Sequence, residues 1–275
     1  MRRTLIVLAL LPLTLVAAPA GAAVTIVSQR GAGQVSTFYI DGPRMRIDSP
    51  PRIERATVMI VDATAKHVVM LDEKAKTYTE LTEDDLKRMR AKMDAMRAMM
   101  QERMKNMPPE QRKQMEQMMG QSVWGAGVNH KSSDWTYKAM GQKKTINGFA
   151  CEMYQALEDG KPQEEVCVSP WSAGVLKKDD IAAIAKFGQQ MMEDLGQGAG
   201  ENAIFGRIDK APGIPISRVP LEGGTRGEEE QVKSVKRGAV PASLFAIPAG
   251  YTKKDLPEMM GGAGPGGHHR GPPRP

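Results

Sequence analysis

Apolar and polar residues alternate through much of the first eighty positions after the N-terminal block, and turn residues cut the alternation into short pieces. Val24 to Gln29 alternates. Val35 to Ile40 runs into Asp41-Gly42-Pro43, a turn, and Arg44 to Asp48 returns. Thr57 to Val61 is apolar and β-branched, Asp62 to Lys66 turns, and His67 to Leu71 follows. Asp72 to Ala75 turns again before Lys76 to Leu81. Strands at roughly ten-residue spacing with turn signals between them predict an antiparallel meander.

At Thr82 the period changes from two to nearly four. Thr82-Glu83-Asp84-Asp85 has the form of a helix start, with Asp85 at the capping-box position and three acids at the positive dipole end. The pattern runs to about Met107, where Pro108-Pro109 stops it, and a short helix over 110–119 is closed by Gly120. Together they predict a methionine-rich helical insertion over 82–119. Strands resume at Ser132 to Met140 and Thr145 to Leu157; Glu158 to Pro162 turns and Glu164 to Ser169 pairs back. A second helix is predicted over 179–195, with Ile181, Ile184, Ala185, Gly188, Met191, Met192 and Leu195 on one face. Ile214 to Leu221, Gln231 to Lys236 and Ser243 to Ile247 read as the last strands. Residues 257–275 are mostly Gly, Pro, His and Arg, and a disordered tail is expected there.

The predicted class is therefore mainly β (α+β). The simplest organisation is one β-rich domain over 24–256 carrying both helical segments; two small β-domains joined by the methionine helix are the alternative.

The first 23 residues read as a secretory signal. Arg2 and Arg3 precede an apolar run from Leu5 to Val16, and Ala20-Gly21-Ala22 provides the small-residue cleavage pattern, so cleavage is expected near Ala22 or Ala23. The run falls short of the ~20 apolar residues of a spanning helix. No cysteine follows it, which argues against a lipidated start. These features predict a periplasmic protein that does not span the membrane once the signal is removed.

Charge and composition narrow the function. The formal charge is +6, of which the signal arginines supply two, and the remainder is spread along the chain. No basic stripe is interleaved with aromatics, so no nucleic-acid partner is expected. Cys151 and Cys167 are the two cysteines. In an oxidising compartment such a pair reads as a disulfide, here across a hairpin with Asp159-Gly160-Lys161 as its loop. A metal thiolate pair or a redox dithiol are the alternatives, and the spacing fits neither C-x-x-C pattern.

Methionine is unusually frequent, at 20 of 275 residues. Met89, Met93, Met96, Met100, Met104 and Met107 recur at intervals of three and four, along one helix face. Three readings stand open. The face packs as core; or it is a pliable apolar surface that holds a ligand, since methionine adapts to irregular partners; or its thioethers bind a soft metal. Met259 and Met260, near His268 and His269 in the tail, belong to that last reading.

Five runs carry a family resemblance. They are Phe38-Tyr39-Ile40-Asp41-Gly42-Pro43-Arg44-Met45-Arg46-Ile47-Asp48, Met70 to Tyr78, Gly148 to Tyr154, Val166 to Trp171 and Ser243 to Tyr251. Their order resembles a family of exported bacterial proteins built on a domain of unknown function. That family is similar in pattern to the periplasmic lipoprotein carriers and their outer-membrane receptors, the Lol-type half-barrels. The resemblance implies an incomplete antiparallel β-barrel with helical insertions covering its concave face. It carries over no catalytic residue, and the long methionine helix departs from the carrier pattern.

No G-x-S-x-G, H-E-x-x-H or phosphate loop occurs, and no histidine has a nucleophile or carboxylate at a known motif spacing. The expectation is a non-enzymatic protein without a cofactor. It would bind or carry an amphiphile: a lipid, a lipidated protein or an apolar peptide. A Met/His-rich copper buffer and an envelope interaction protein that docks through the methionine helix are the alternatives.

Overall fold

The computed structural model describes residues 23–50, 58–105, 108, 110–111, 134–194 and 210–255. Six strands come first: β1 Ala23–Arg30, β2 Gln34–Asp41, β3 Arg44–Asp48, β4 Val58–Asp62, β5 His67–Asp72 and β6 Thr77–Leu81. Helix α1, Glu83–Lys105, follows. Then come β7 Trp135–Ile146, β8 Phe149–Glu158, β9 Lys161–Pro170, helix α2 Lys178–Asp194, β10 Gly213–Glu222, β11 Thr225–Arg226, β12 Glu230–Gly238 and β13 Thr252–Lys253. The protein is mainly β.

One open sheet runs β13-β6-β5-β4-β3-β2-β1-β12-β10-β9-β8-β7, with β11 paired to β10. Strands on either side of α1 in sequence meet where β1 pairs with β12 along its whole length. Pairing is antiparallel throughout, except that β13 lies parallel to β6. The junction between β12 and β10 is narrow, made of Ser217 opposite Gln231 and Arg218 opposite Glu230. The sheet does not close: one edge is β7, where Lys138, Lys143 and Lys144 fall along the strand and discourage further pairing. This is an incomplete antiparallel barrel with helical insertions.

Two apolar clusters lie on opposite faces. Strand β4 divides between them, since successive side chains point to opposite sides. Val61 joins Val24, Ile26, Ile40, Met45, Ile216 and α2 in the larger cluster. Val58 and Ile60 join Val69 and Leu71 of β5 in the smaller one, packed beneath Phe245, Ile247 and Tyr251. Burial on both faces explains why β4 and β5 read as continuous apolar runs.

The covering segment is a strap over the outer face. Ser243 to Ile247, expected as a strand, instead contains a 3-10 turn at Ala242–Phe245. Pro241 and Pro248 bracket the run and deprive it of ladder donors. Arg44 stacks over Phe245 at 4.7 Å, and Lys76 lies 5.2 Å from the centre of the Tyr251 ring. Arg46 donates to the Leu244 carbonyl at 3.1 Å.

Two hairpins are set by left-handed pairs. Asn147 and Gly148 have φ of 50° and 85°, and Asp159 and Gly160 have 48° and 77°. Positive φ at both central residues is the type I′ geometry that matches strand twist. Asn147-Gly148 therefore cuts the strand expected over Thr145 to Leu157 into the ends of β7 and β8. The second loop has two residues rather than three, and a register slip between Ala156 and Leu157 takes up the difference. Met153 faces Cys167 directly, so the Cys151–Cys167 disulfide is diagonal across β8 and β9, with Cα atoms 5.4 Å apart. Closing so short a loop contributes about 3 kcal/mol in the chain-entropy account.

The expected signal segment and its cleavage point at Ala22/Ala23 lie at or beyond the edge of the described residues. The tail 257–275, with Met259, Met260, His268 and His269, lies outside them. So do Met107, His130 and nearly all of the expected helix over 110–119.

Candidate functional site

A cavity of about 290 Å³ lies between one face of the sheet and α2. Its floor comes from Ile26 of β1, Phe38 and Ile40 of β2, Met45 and Ile47 of β3 and Met59 of β4. Val166 of β9, Ile216 of β10 and Tyr137 of β7 complete the wall. Strands β4 and β7 stand eight intervals apart in the sheet order. At ~4.8 Å per interval a flat sheet would hold them almost 40 Å apart. Both reach one small cavity, so the sheet curls and the cavity occupies its hollow.

Helix α2 roofs the hollow. Ile181 and Ile184 point down from it and Leu176 and Trp171 from the segment before it. Of the expected apolar face of this helix, Ile181, Ile184, Ala185 and Gly188 are buried and Met191 is half-buried, and Phe187, not on that face, is buried with them. Its start is pinned to the sheet by Arg237, which donates to Asp180 at 2.8 Å, while Asp180 accepts the Lys177 N–H at 2.9 Å. Trp171 is fixed by its indole N–H, 3.1 Å from the Ala211 carbonyl.

Polar groups enter the lining from neighbouring strands: Ser28, Glu164, Ser217, Arg218 and Glu230. Two irregularities place them there. The β1–β12 register slips between Val27 and Ser28. The β10–β9 register slips between Pro215 and Ser217. A bulge leaves extra residues on one strand and re-aims their side chains, and proline is tolerated there because the ladder is already broken. As a result Ile214 to Arg218 all line the cavity. Arg218 pairs with Glu164 at 3.0 Å, and Glu164 is buried. Arg30 pairs with Glu230 at 3.2 Å, and the Ser28 hydroxyl donates to the same carboxylate at 3.1 Å. The site is thus an oily hollow with a small ionic network on one wall.

The methionine stripe lies elsewhere. The capping box expected at the start of α1 is formed: Asp85 accepts the Thr82 N–H at 2.9 Å, and the Asp85 N–H reaches the Thr82 hydroxyl at 3.2 Å. Leu86 is buried in the larger cluster and Met89 packs against it. Met93, Met96, Met100 and Met104 are half-buried, and Met99 is 58% exposed. None of these methionines lines the cavity. Helix α1 touches α2 and joins the core at its first turns. The strand residues that line the hollow read in the sequence as ordinary strand positions, whereas Ile181 and Ile184 stand on the expected apolar helix face. The slip in β10 had one faint signal, the prolines of Ile214-Pro215-Ile216 and Val219-Pro220, and the slip in β1 had none.

No helix among the described residues is long and apolar enough to cross a membrane. Among the same residues no three His, Cys, Asp or Glu side chains are grouped to hold a metal.

A family model described as Domain of unknown function (DUF4412) matches residues 82–251, from the cap of α1 to the strap. No curated protein matches the chain. Among solved structures it is similar to PNGF-II in space group C2, with 9% identity over 86% of this chain and 31% of that one, at a TM-score of 0.37. It is also similar to MucB in complex with MucA(peri), with 12% identity over 82% of this chain and 54% of that one, at a TM-score of 0.29. The Pseudomonas aeruginosa MucA/MucB complex gives 13% identity, 82% and 55% coverage and a TM-score of 0.31. The chain spans less than a third of the length of PNGF-II and just over half of MucB. Likenesses at these scores carry no argument about activity or partners.

Proposed function

The chain belongs to the DUF4412 family, and from that premise we propose that it is an exported, non-enzymatic protein that binds or carries an amphiphile in the hollow under α2. One observation carries this reading: the cavity is walled by Ile, Val, Phe and Met side chains and gathers its charged groups on one wall. Ligand sites have this composition, an apolar body with a few placed polar groups, and the volume stands at the lower end of their range of about 300–1,000 Å³. A lipid or an apolar peptide would lie along the oily part and keep its polar end at the ionic wall. The buried Cys151–Cys167 disulfide supports an oxidising compartment, and with the secretory pattern of residues 1–23 it favours the periplasm.

The ligand-holding role given to the methionine stripe passes, in this reading, to the strand residues and α2. Native mass spectrometry of protein taken from the periplasm tests it. A bound apolar adduct is expected, and Ile47→Trp, which fills a half-buried part of the lining, should lower uptake of a fluorescent fatty acid by about tenfold or more. An adduct-free chain that takes up no fatty acid would reject it.

A second reading follows from α1. Its half-buried methionines and the exposed Met99 form a pliable flank suited to a protein partner. Pull-down from envelope extracts with and without residues 82–119 separates the two readings.

A further inference from the structure

We propose that the hollow selects a single-chain amphiphile with an anionic oxygen headgroup, a carboxylate or a phosphate monoester, and that Arg218 is its anchor. The inference rests on the binding role above and names the ligand class for that same cavity.

The argument begins with an inventory of the polar wall. Each carboxylate there already has a cationic partner. Glu230 holds Arg30 at 3.2 Å and accepts the Ser28 hydroxyl at 3.1 Å. Glu164 holds one Nη of Arg218 at 3.0 Å. What is left unmatched is a donor. The Arg218 Nε is fully buried and has no hydrogen-bond partner among the described residues. A guanidinium carries five N–H donors and no acceptor, so an unmet N–H calls for an oxygen. A buried donor without one is costly, and the guanidinium that carries it lines the cavity with its side chain 22% exposed, so an oxygen in the hollow meets it once the group turns toward the ligand.

Its position suits that task. Arg218 follows the register slip of β10, where Pro215 interrupts the ladder, and it sits at the narrow β10–β12 junction opposite Glu230. Beside it the lining turns apolar at once, through Ile216, Ile26 and Val232. A headgroup oxygen on this guanidinium would leave its hydrocarbon pointing into the hollow. Planar guanidinium groups match carboxylate and phosphate oxygens in fork geometry, which an ammonium does not. A sugar or alcohol would offer a weaker acceptor than an anion. The volume of about 290 Å³ accommodates one chain rather than the paired chains of a diacyl lipid.

The test uses the full exported chain with its disulfide intact and four probes of one chain length, each below its micelle concentration. Dodecanoate and dodecyl phosphate supply the two anions, dodecanol the neutral case and dodecyltrimethylammonium the cation. Displacement of a fluorescent fatty acid is the readout. At least one anion is expected to bind about tenfold or more tightly than dodecanol, and the cation weakest; which anion leads identifies the headgroup. Arg218→Gln should weaken dodecanoate and dodecyl phosphate relative to dodecanol by about tenfold or more, so that the ratio of anion to alcohol affinity falls to one. Glu164→Gln, which releases the paired Nη, should tighten anion binding. Equal affinity for dodecanoate, dodecyl phosphate and dodecanol overturns the anchor while the binding role survives. Failure of all four probes overturns both. Should Arg218→Gln not fold, the probe panel and Glu164→Gln decide alone, and unchanged or weaker anion binding in Glu164→Gln counts against the anchor.

Discussion

The two long helices among the described residues are built from different materials and pack differently. Helix α2 is the shorter at 17 residues, against 23 for α1, yet it buries Ile181, Ile184, Ala185 and Phe187 and roofs the hollow. Helix α1 buries Leu86, packs Met89 on the core and leaves its later methionines half-buried. Both begin with acids that satisfy the first amides, so capping does not separate them. What separates them is shape. β-Branched and aromatic side chains at regular spacing fit a fixed surface, whereas unbranched methionines suit one that varies. A conspicuous composition therefore marks the helix less committed to the core.

The largest test of this contrast is Ile184→Ala. The side chain is 1% exposed and touches both core and cavity, so its loss is expected to cost about 2–5 kcal/mol. Urea unfolding followed by circular dichroism measures it, and a cost under 1 kcal/mol would break the contrast from the α2 side.

A smaller effect is expected in acid. Burial pushes the Asp180 carboxyl up, but the Arg237 guanidinium and the Lys177 N–H together outweigh it and hold it below the ordinary value of 3.8. A group depressed on folding stabilises above its unfolded pKa and loses that contribution as pH falls through the folded one. Asp180→Asn should therefore lower stability at neutral pH by about 0.5–1 kcal/mol. It should also flatten the decline below about pH 4. Identical acid limbs for the variant and the parent would show that α2 is not held at this point.

The smallest effect is expected from Met96, Met100 and Met104 changed together to Gln. Each site should stay within about 0.5 kcal/mol. A loss as large as that of Ile184→Ala would mean that α1 is packed as firmly as α2.

The strands were legible because side-chain burial enforces a period of two and turns need particular residues. The meander from Val24 to Leu81, the capping box at Thr82 and the apolar face of α2 all follow from local rules. Asn147-Gly148 was equally local, but the β-rich residues on both sides hid it inside one long run. Ser243 to Ile247 looked extended because it is apolar; its pairing is with the far side of β4 and β5, a contact no local pattern encodes. The hollow was the least legible part. Ile26, Ile47 and Ile216 look like any strand interior, and Ser28, Glu164, Arg218 and Glu230 lie far apart in sequence. They meet because the sheet curls and two ladders slip, and both are properties of the assembled sheet.

The strap has a bearing on how the protein is made. Phe245, Ile247 and Tyr251 follow every long strand of the sheet in the order of synthesis. Until they emerge, Val58, Ile60, Val69 and Leu71 keep, among the described residues, only Tyr78 of this cover. A chain interrupted before Phe245 would hold its long strands together and still present a sticky back to its neighbours, which makes the last stretch of synthesis the moment at which this face is covered.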